Sequence, residues 1–115
     1  MTSGKVLPAD AHDETVQRFD ELVDAFVRLR DPDIMTAFLR DVCTTAELDA
    51  MGQRLQVARL VSEAVPYQEI SRRTGASTAT VTRVAHWLHY GEGGYATVLK
   101  REDVDESTID SGPAI

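Results

Sequence analysis

The sequence predicts an all-α fold. Apolar residues recur at three- and four-residue intervals along most of the chain, and the segments so patterned are divided by helix caps and breakers rather than hairpin turns. Composition agrees: 115 residues hold only three Phe, three Tyr, one Trp, seven Gly and four Pro, a poor supply for a β-sandwich. With 43% hydrophobic and 27% charged residues, the chain can build the core of one small domain.

Each element has a local reason. Residues 1–12 lack periodicity and carry Gly4 and Pro8, so a flexible N-terminal arm is expected. From Asp13, residues Val16, Phe19, Leu22, Val23, Phe26 and Val27 form a helical stripe. Asp31 then suits an N-cap, Pro32 a first helical position and Asp33 the positive helix end, opening a second helix with Ile34, Met35, Phe38, Leu39 and Val42. Thr44-Thr45-Ala46-Glu47 has capping-box spacing and starts a long helix to about Ala64. Leu48, Met51, Leu55, Ala58 and Val61 share one side of it, widened by Val57 and Leu60. Pro66 punctuates, a short helix runs Tyr67–Thr74 to Gly75, and Ser77 caps the next. Gly91, Gly93 and Gly94 end that helix and release a short last one around Tyr95–Arg101.

The expected organisation is an arm (1–12), dimerisation helices (13–64), a helix-turn-helix (65–90), a C-terminal turn and short helix (91–102) and an acidic disordered tail (103–115). The apolar faces of the first three helices are wider than a compact monomer needs. Burial of part of that surface against a second copy, a homodimer, is therefore expected over a monomeric bundle.

Charge is segregated. The net charge of −7 divides into −6 over residues 1–50, +4 over 51–101 and −5 over 102–115. A basic centre between acidic flanks suits polyanion binding at one face, with the flanks opposing indiscriminate attachment. An ordinary mixed surface would carry the same totals, so charge alone does not decide.

The segment Tyr67–Val84 decides more. It has the form of a helix-turn-helix, two short helices crossing steeply at a glycine. Gly75 supplies the left-handed turn conformation, Ser71 is small at the crossing, and Ile70, Ala76, Val81 and Val84 face inward. Ser77, Thr78, Ala79, Thr80 (in part), Thr82 and Arg83 are left at the front of the second helix. Hydroxyls can bond base edges, Ala and Thr methyls can meet thymine methyls, and arginine can pair with guanine. Gln68 and Ser71 join Thr78, Ala79, Thr80 and Thr82 as base-edge or close-approach residues, and Arg72, Arg73 and Arg83 are the phosphate contacts. A glycine-turn helix pair with Thr-rich caps is also a common structural hairpin, but the matching positions within a basic segment favour double-stranded DNA.

The sequence also resembles the Trp-repressor-like superfamily, specifically its YerC/YecD branch, from about Phe19 to Arg101. The resemblance is carried by Cys43-Thr44, Gln53–Arg59, Thr74–Arg83 and Tyr90-Gly91-Glu92-Gly93-Gly94-Tyr95. It implies a Trp-repressor-like helical bundle, an intertwined homodimer that sets two helix-turn-helix heads on successive major grooves as a transcriptional regulator. In the Trp repressor two arginines hold free tryptophan, and Arg54 and Arg83 match those positions. Val84 and Trp87, however, replace a glycine and a serine of that pocket. Free tryptophan is therefore not expected to bind, and phosphate contact or intradimer pairing is the preferred role for both arginines.

Other chemistry has little to stand on. His86 and His89 have a metal-sharing spacing without a third ligand nearby, so no metal is expected. Cys43, the single cysteine, excludes an internal disulfide and reads as a small buried residue beside a helix start rather than a redox sensor. No Walker, dinucleotide or Ser-His-Asp signature is present, so neither an enzyme nor a cofactor is expected. No apolar run approaches the roughly 18 residues of a membrane span and no signal-peptide pattern opens the chain, so a cytoplasmic protein without membrane association is expected. The resulting expectation is a homodimeric, sequence-specific DNA-binding regulator, repressor-like. A protein-interaction module and a sensor of a metabolite other than tryptophan are the alternatives.

Overall fold

The computed structural model describes the backbone of residues 12–111 and the side chains of residues 13–102. Six helices follow one another: α1 His12–Arg28, α2 Pro32–Val42, α3 Thr45–Ser62, α4 Tyr67–Thr74, α5 Thr78–Tyr90 and α6 Gly94–Ser111. No strand occurs among the described residues. The all-α expectation holds.

The caps are the ones the sequence signals. Asp31 Oδ1 accepts from the Asp33 amide at 2.8 Å, with Pro32 at the first helical position of α2. At the start of α3 the Glu47 amide donates to Thr44 Oγ1 at 3.0 Å, and Glu47 Oε1 accepts from the Thr44 amide at 2.8 Å. These bonds hold the Glu47 carboxyl below its usual pKa, the Thr44 backbone contributing most.

The C-terminus of α3 was less legible. The helix stops at Ser62, and Ala64 takes a left-handed conformation with φ of 62°. The Ala64 amide donates to the Val61 carbonyl at 2.9 Å and the Val65 amide to the Leu60 carbonyl at 3.1 Å, a Schellman closure with alanine at the position glycine favours. Pro66 follows as the N-cap of α4, without a side-chain cap bond.

The chain divides into two units between Ala50 and Met51, inside α3 rather than at residue 64. The reason is packing. Val57 and Ala58 of α3 are fully buried with Ile70, Ala76, Val81, Val84 and Leu99, so the second half of α3 belongs to the helix-turn-helix core. In the first unit Phe26 and Phe38 pack edge to face with centroids 5.6 Å apart. Yet no described side chain of α1 or α2 is buried. Phe19, Val27 and Ile34 are 61%, 70% and 54% exposed, and Leu22, Val23 and Val42 are exposed as well.

Two expectations at the chain ends need restating. The arm over 1–12 lies outside the described residues, apart from His12, which opens α1. The short helix near Tyr95–Arg101 and the disordered tail from 103 are corrected: α6 continues as helix to Ser111. Acidity suggested disorder, but no glycine or proline interrupts the chain between Gly94 and Gly112, so nothing local stops the helical backbone from propagating. Residues 112–115 lie outside the described residues.

Ala64 generates a prediction. Replacing it with glycine relieves the left-handed strain of an L-residue against the greater chain entropy of glycine, for a net gain of about 0.5–1 kcal/mol. Urea unfolding of Ala64→Gly should show a raised midpoint at unchanged slope, and a lowered midpoint would contradict this account of the helix end.

Candidate nucleic-acid interface

The interface is built around one turn. α4 ends where Gly75 adopts φ of 77°, its amide donating to the Ser71 carbonyl at 2.9 Å. Three side chains bond backbone groups on either side of it. Thr74 Oγ1 donates to the Ile70 carbonyl at 2.7 Å and accepts from the Ala76 amide at 3.2 Å. Ser71 Oγ donates to the Ala76 carbonyl at 2.5 Å. Gln53 Nε2 reaches from α3 to the Thr74 carbonyl at 3.2 Å. Ser77 then caps α5 by accepting from the Thr80 amide at 3.1 Å. Beneath these bonds Ile70 and Val81 are fully buried, and Ala76 and Val84 nearly so. Backbone polar groups so close to an apolar core need partners, and here they have them.

With the inward face held by Val81, Val84 and Ala85, helical periodicity turns Ala79, Thr82 and Arg83 outward, and all three are exposed. Ser77 and Thr78 are exposed at the helix start, and Gln68 is exposed on α4. Two expected reading residues are placed differently. Ser71 is half-buried with its hydroxyl bonded to the turn, which makes it a brace. Thr80 is half-buried, and its Oγ1 accepts from Ser77 Oγ at 3.1 Å.

The outward row continues to residues the sequence reading gave no reading role. His86 is exposed and Tyr90 is 73% exposed, their rings 5.3 Å apart and tilted. The 3.6-residue spacing Ala79, Arg83, His86, Tyr90 could have shown this row. Gln53 belongs to a family-like motif, but nothing local in the sequence ties it to a carbonyl 21 residues away. Glycine ends α5 for a steric reason: a Cβ at Gly91 would lie 2.4 Å from the Trp87 carbonyl oxygen.

The cations are not equivalent. Arg72 makes a bidentate pair with Glu69, and Arg73 Nε lies 2.9 Å from the same carboxylate. The Arg72 bond, then the Arg73 bond, pull the Glu69 carboxyl down to about 2. Arg59 is tied through Nη2 to Glu102 at 3.0 Å. Arg83 makes no ion pair among the described residues and is exposed, as is Arg54, whose charge bears on Tyr95. No metal-holding group of His, Cys, Asp and Glu occurs among the described residues, and Cys43 is half-buried. No described helix is long and apolar enough to cross a membrane.

The described residues define the class of all-helical folds that carry a helix-turn-helix. The chain belongs to the Trp repressor family: the family model for the Trp repressor protein matches residues 17–103. It is 37% identical over 95 residues to the uncharacterized protein YerC of Bacillus subtilis (strain 168), covering 83% of this chain and 91% of that protein. A candidate Trp repressor from Staphylococcus aureus superposes with a TM-score of 0.72 at 35% identity, covering 81% of this chain and 95% of the other. A TrpR-like protein from Eubacterium eligens ATCC 27750 gives 0.73 at 36% identity, covering 84% and 96%. The resemblance carried by the sequence motifs is thereby confirmed, and the family is one of regulators, not enzymes.

Glu69 yields a pH prediction. Its folded-state pKa of about 2 lies below the ordinary carboxylate value of 4.5, so the pairing stabilises fully above 4.5 and fades as pH falls toward 2. The difference in melting temperature between the wild type and Glu69→Gln should be constant from pH 7 to about 5.5 and shrink below that. A difference independent of pH down to 2.5 would show that the pairing adds nothing to stability.

Proposed function

We propose that this protein is a homodimeric, sequence-specific DNA-binding transcriptional regulator, cytoplasmic and repressor-like, that reads the major groove with α5. The observation that carries the proposal is the braced turn, which holds a helix with a small, polar, partly cationic outer row clear of its own core. Ala79, Thr82 and Arg83 are assigned to base edges, Ser77 and Thr78 to close approach at the helix start, and Arg72 and Arg73 to phosphates. Gln68 is retained at the backbone edge of the site. Ser71 and Thr80 serve the reading by fixing its geometry.

The dimer is supported by the exposed apolar side chains of α1 and α2, an arrangement a lone chain leaves in water. Family membership supports both parts. The test is enrichment of bound duplexes from a random pool, with sizing of the protein alone and on the selected duplex. A symmetric site with half-sites about one helical turn apart is expected, bound by two chains. An unenriched pool, or one chain per duplex, would overturn the reading.

Two substitutions separate the roles. Thr82→Ala should relax sequence preference at one position of each half-site, at a cost of about 1–3 kcal/mol on the selected duplex alone. Arg72→Ala should weaken binding to all sequences and reduce the salt slope by about one per half-site.

Free tryptophan is not the effector on this reading. Val84, only 4% exposed, fills core space where the Trp repressor carries glycine, and the half-buried Trp87 replaces its serine. Calorimetry with L-tryptophan should give no saturable heat. Saturation in the micromolar range would return Arg54 and Arg83 to a ligand site.

A further inference from the structure

Glu69 is the one carboxylate on α4, and two guanidinium groups close on it. Arg72 donates through Nε to Oε1 at 3.0 Å and through Nη2 to Oε2. Arg73 Nε donates to Oε2 at 2.9 Å. The Glu69 side chain is 33% exposed, against 71% for Arg72 and 48% for Arg73, so the carboxylate sits inboard and the cations outboard. Both pairs have the favourable helical order, with acid preceding base by three and four residues. The two arginines are therefore pre-set in the free protein, and α4 carries a net charge of +1 rather than +2.

A DNA phosphate offers guanidinium groups the same kind of oxygen pair that Glu69 offers. The N–H groups that Glu69 leaves free stay open to it, but the bonds Glu69 holds come only by displacing the carboxylate, which otherwise remains beside the phosphate as a repelling charge. Where phosphates lie within reach of both guanidinium groups, the exchange is complete. In a looser complex, where phosphates reach only the outer N–H groups, the carboxylate keeps its partners.

From this geometry we infer that Glu69 is an electrostatic latch on Arg72 and Arg73, a specificity-determining residue that phosphodiester oxygens must displace to gain the bonds it holds and that penalises loosely docked DNA. The latch rests on the DNA-binding reading above. It differs from a pair that merely stabilises α4, whose loss would lower helix stability without tightening any complex.

The test uses the full-length chain and its Glu69→Gln variant, titrated against a labelled duplex of mixed sequence and against the duplex enriched from a random pool. The variant should bind mixed sequence about three- to tenfold more tightly, the range expected on losing one or two exposed ion pairs. Its gain on the enriched duplex should be smaller, so the specificity ratio falls, and its salt slope should steepen by about one per half-site. Arg73→Gln, made in both backgrounds, should cost more affinity in the Glu69→Gln background, which keeps the test open if that variant is less stable. Wild-type binding with no gain, or an equal gain on both duplexes, overturns the latch and leaves the DNA reading standing. Failure of both proteins to bind either duplex at low salt overturns the two together.

Discussion

Everything at the proposed interface depends on the closure of the turn between Thr74 and Ser77. A chain that reverses direction over a few residues leaves amides and carbonyls without helical partners, and here it does so directly above buried Ile70 and Val81. Water is a poor substitute beside such a core. Thr74, Ser71 and Gln53 supply the missing partners, and each is a short or fork-ended polar side chain at the required distance. The bend is therefore over-determined, by apolar packing below and hydrogen bonds above. A helix meant to read DNA needs that rigidity, because base-edge bonds tolerate little angular error.

The same closure explains why some polar residues cannot serve two masters. Ser71 has the size and chemistry of a reading residue, yet its hydroxyl is donated to the Ala76 carbonyl, whereas half-buried Thr80 accepts from Ser77 and keeps its own O–H. Charge shows a parallel effect. Counting by segment gives residues 51–101 a net +4, which suggests a freely basic surface. Pairing changes the picture, since Arg72 and Arg73 share Glu69 and Arg59 holds Glu102. Arg83 stands without an ion pair among the described residues, at the middle of the outward row of α5. The field a polyanion meets is set by which cations are already answered.

Much of this was legible because it is local. A capping box is written in four residues, Asp-Pro-Asp opens α2, and the bounds of α4 fall where the Tyr67 and Gly75 signals place them. The inward set of Ile70, Ala76, Val81 and Val84 follows from helical period and the position of the glycine. What escaped is non-local or unmarked. Gln53 acts across 21 residues of sequence, and no spacing rule announces such a bond. Ala64 ends α3 in a conformation that glycine usually signals, so its helix was drawn two residues too long. The continuation of α6 runs through a segment whose acidity points to disorder, while its lack of a breaker permits helix. The Glu69 clamp lay between these cases. Its spacing to Arg72 and Arg73 is visible in the sequence, but a segment total enters the carboxylate only as one negative charge and not as a partner to both.

The two units place different demands on the proposed regulator. On that reading, one α5 head offers Ala79, Thr82 and Arg83 to base edges, and a mismatched base pair costs about 1–3 kcal/mol. Two or three such contacts total about 2–9 kcal/mol, and the weaker sums fall short of the roughly 4–10 kcal/mol that separates specific from non-specific DNA complexes. Doubling the head brings the sum into that range without enlarging the side chains, and small side chains are what let the helix start approach the groove. The residues that would join two heads need not belong to either. Exposed Phe19, Val27 and Ile34 lie on helices whose described side chains include none that is buried. A sequence that keeps its reading helix so sparse has reason to carry its association surface elsewhere, and α1 and α2 carry most of the large apolar residues left exposed among the described residues.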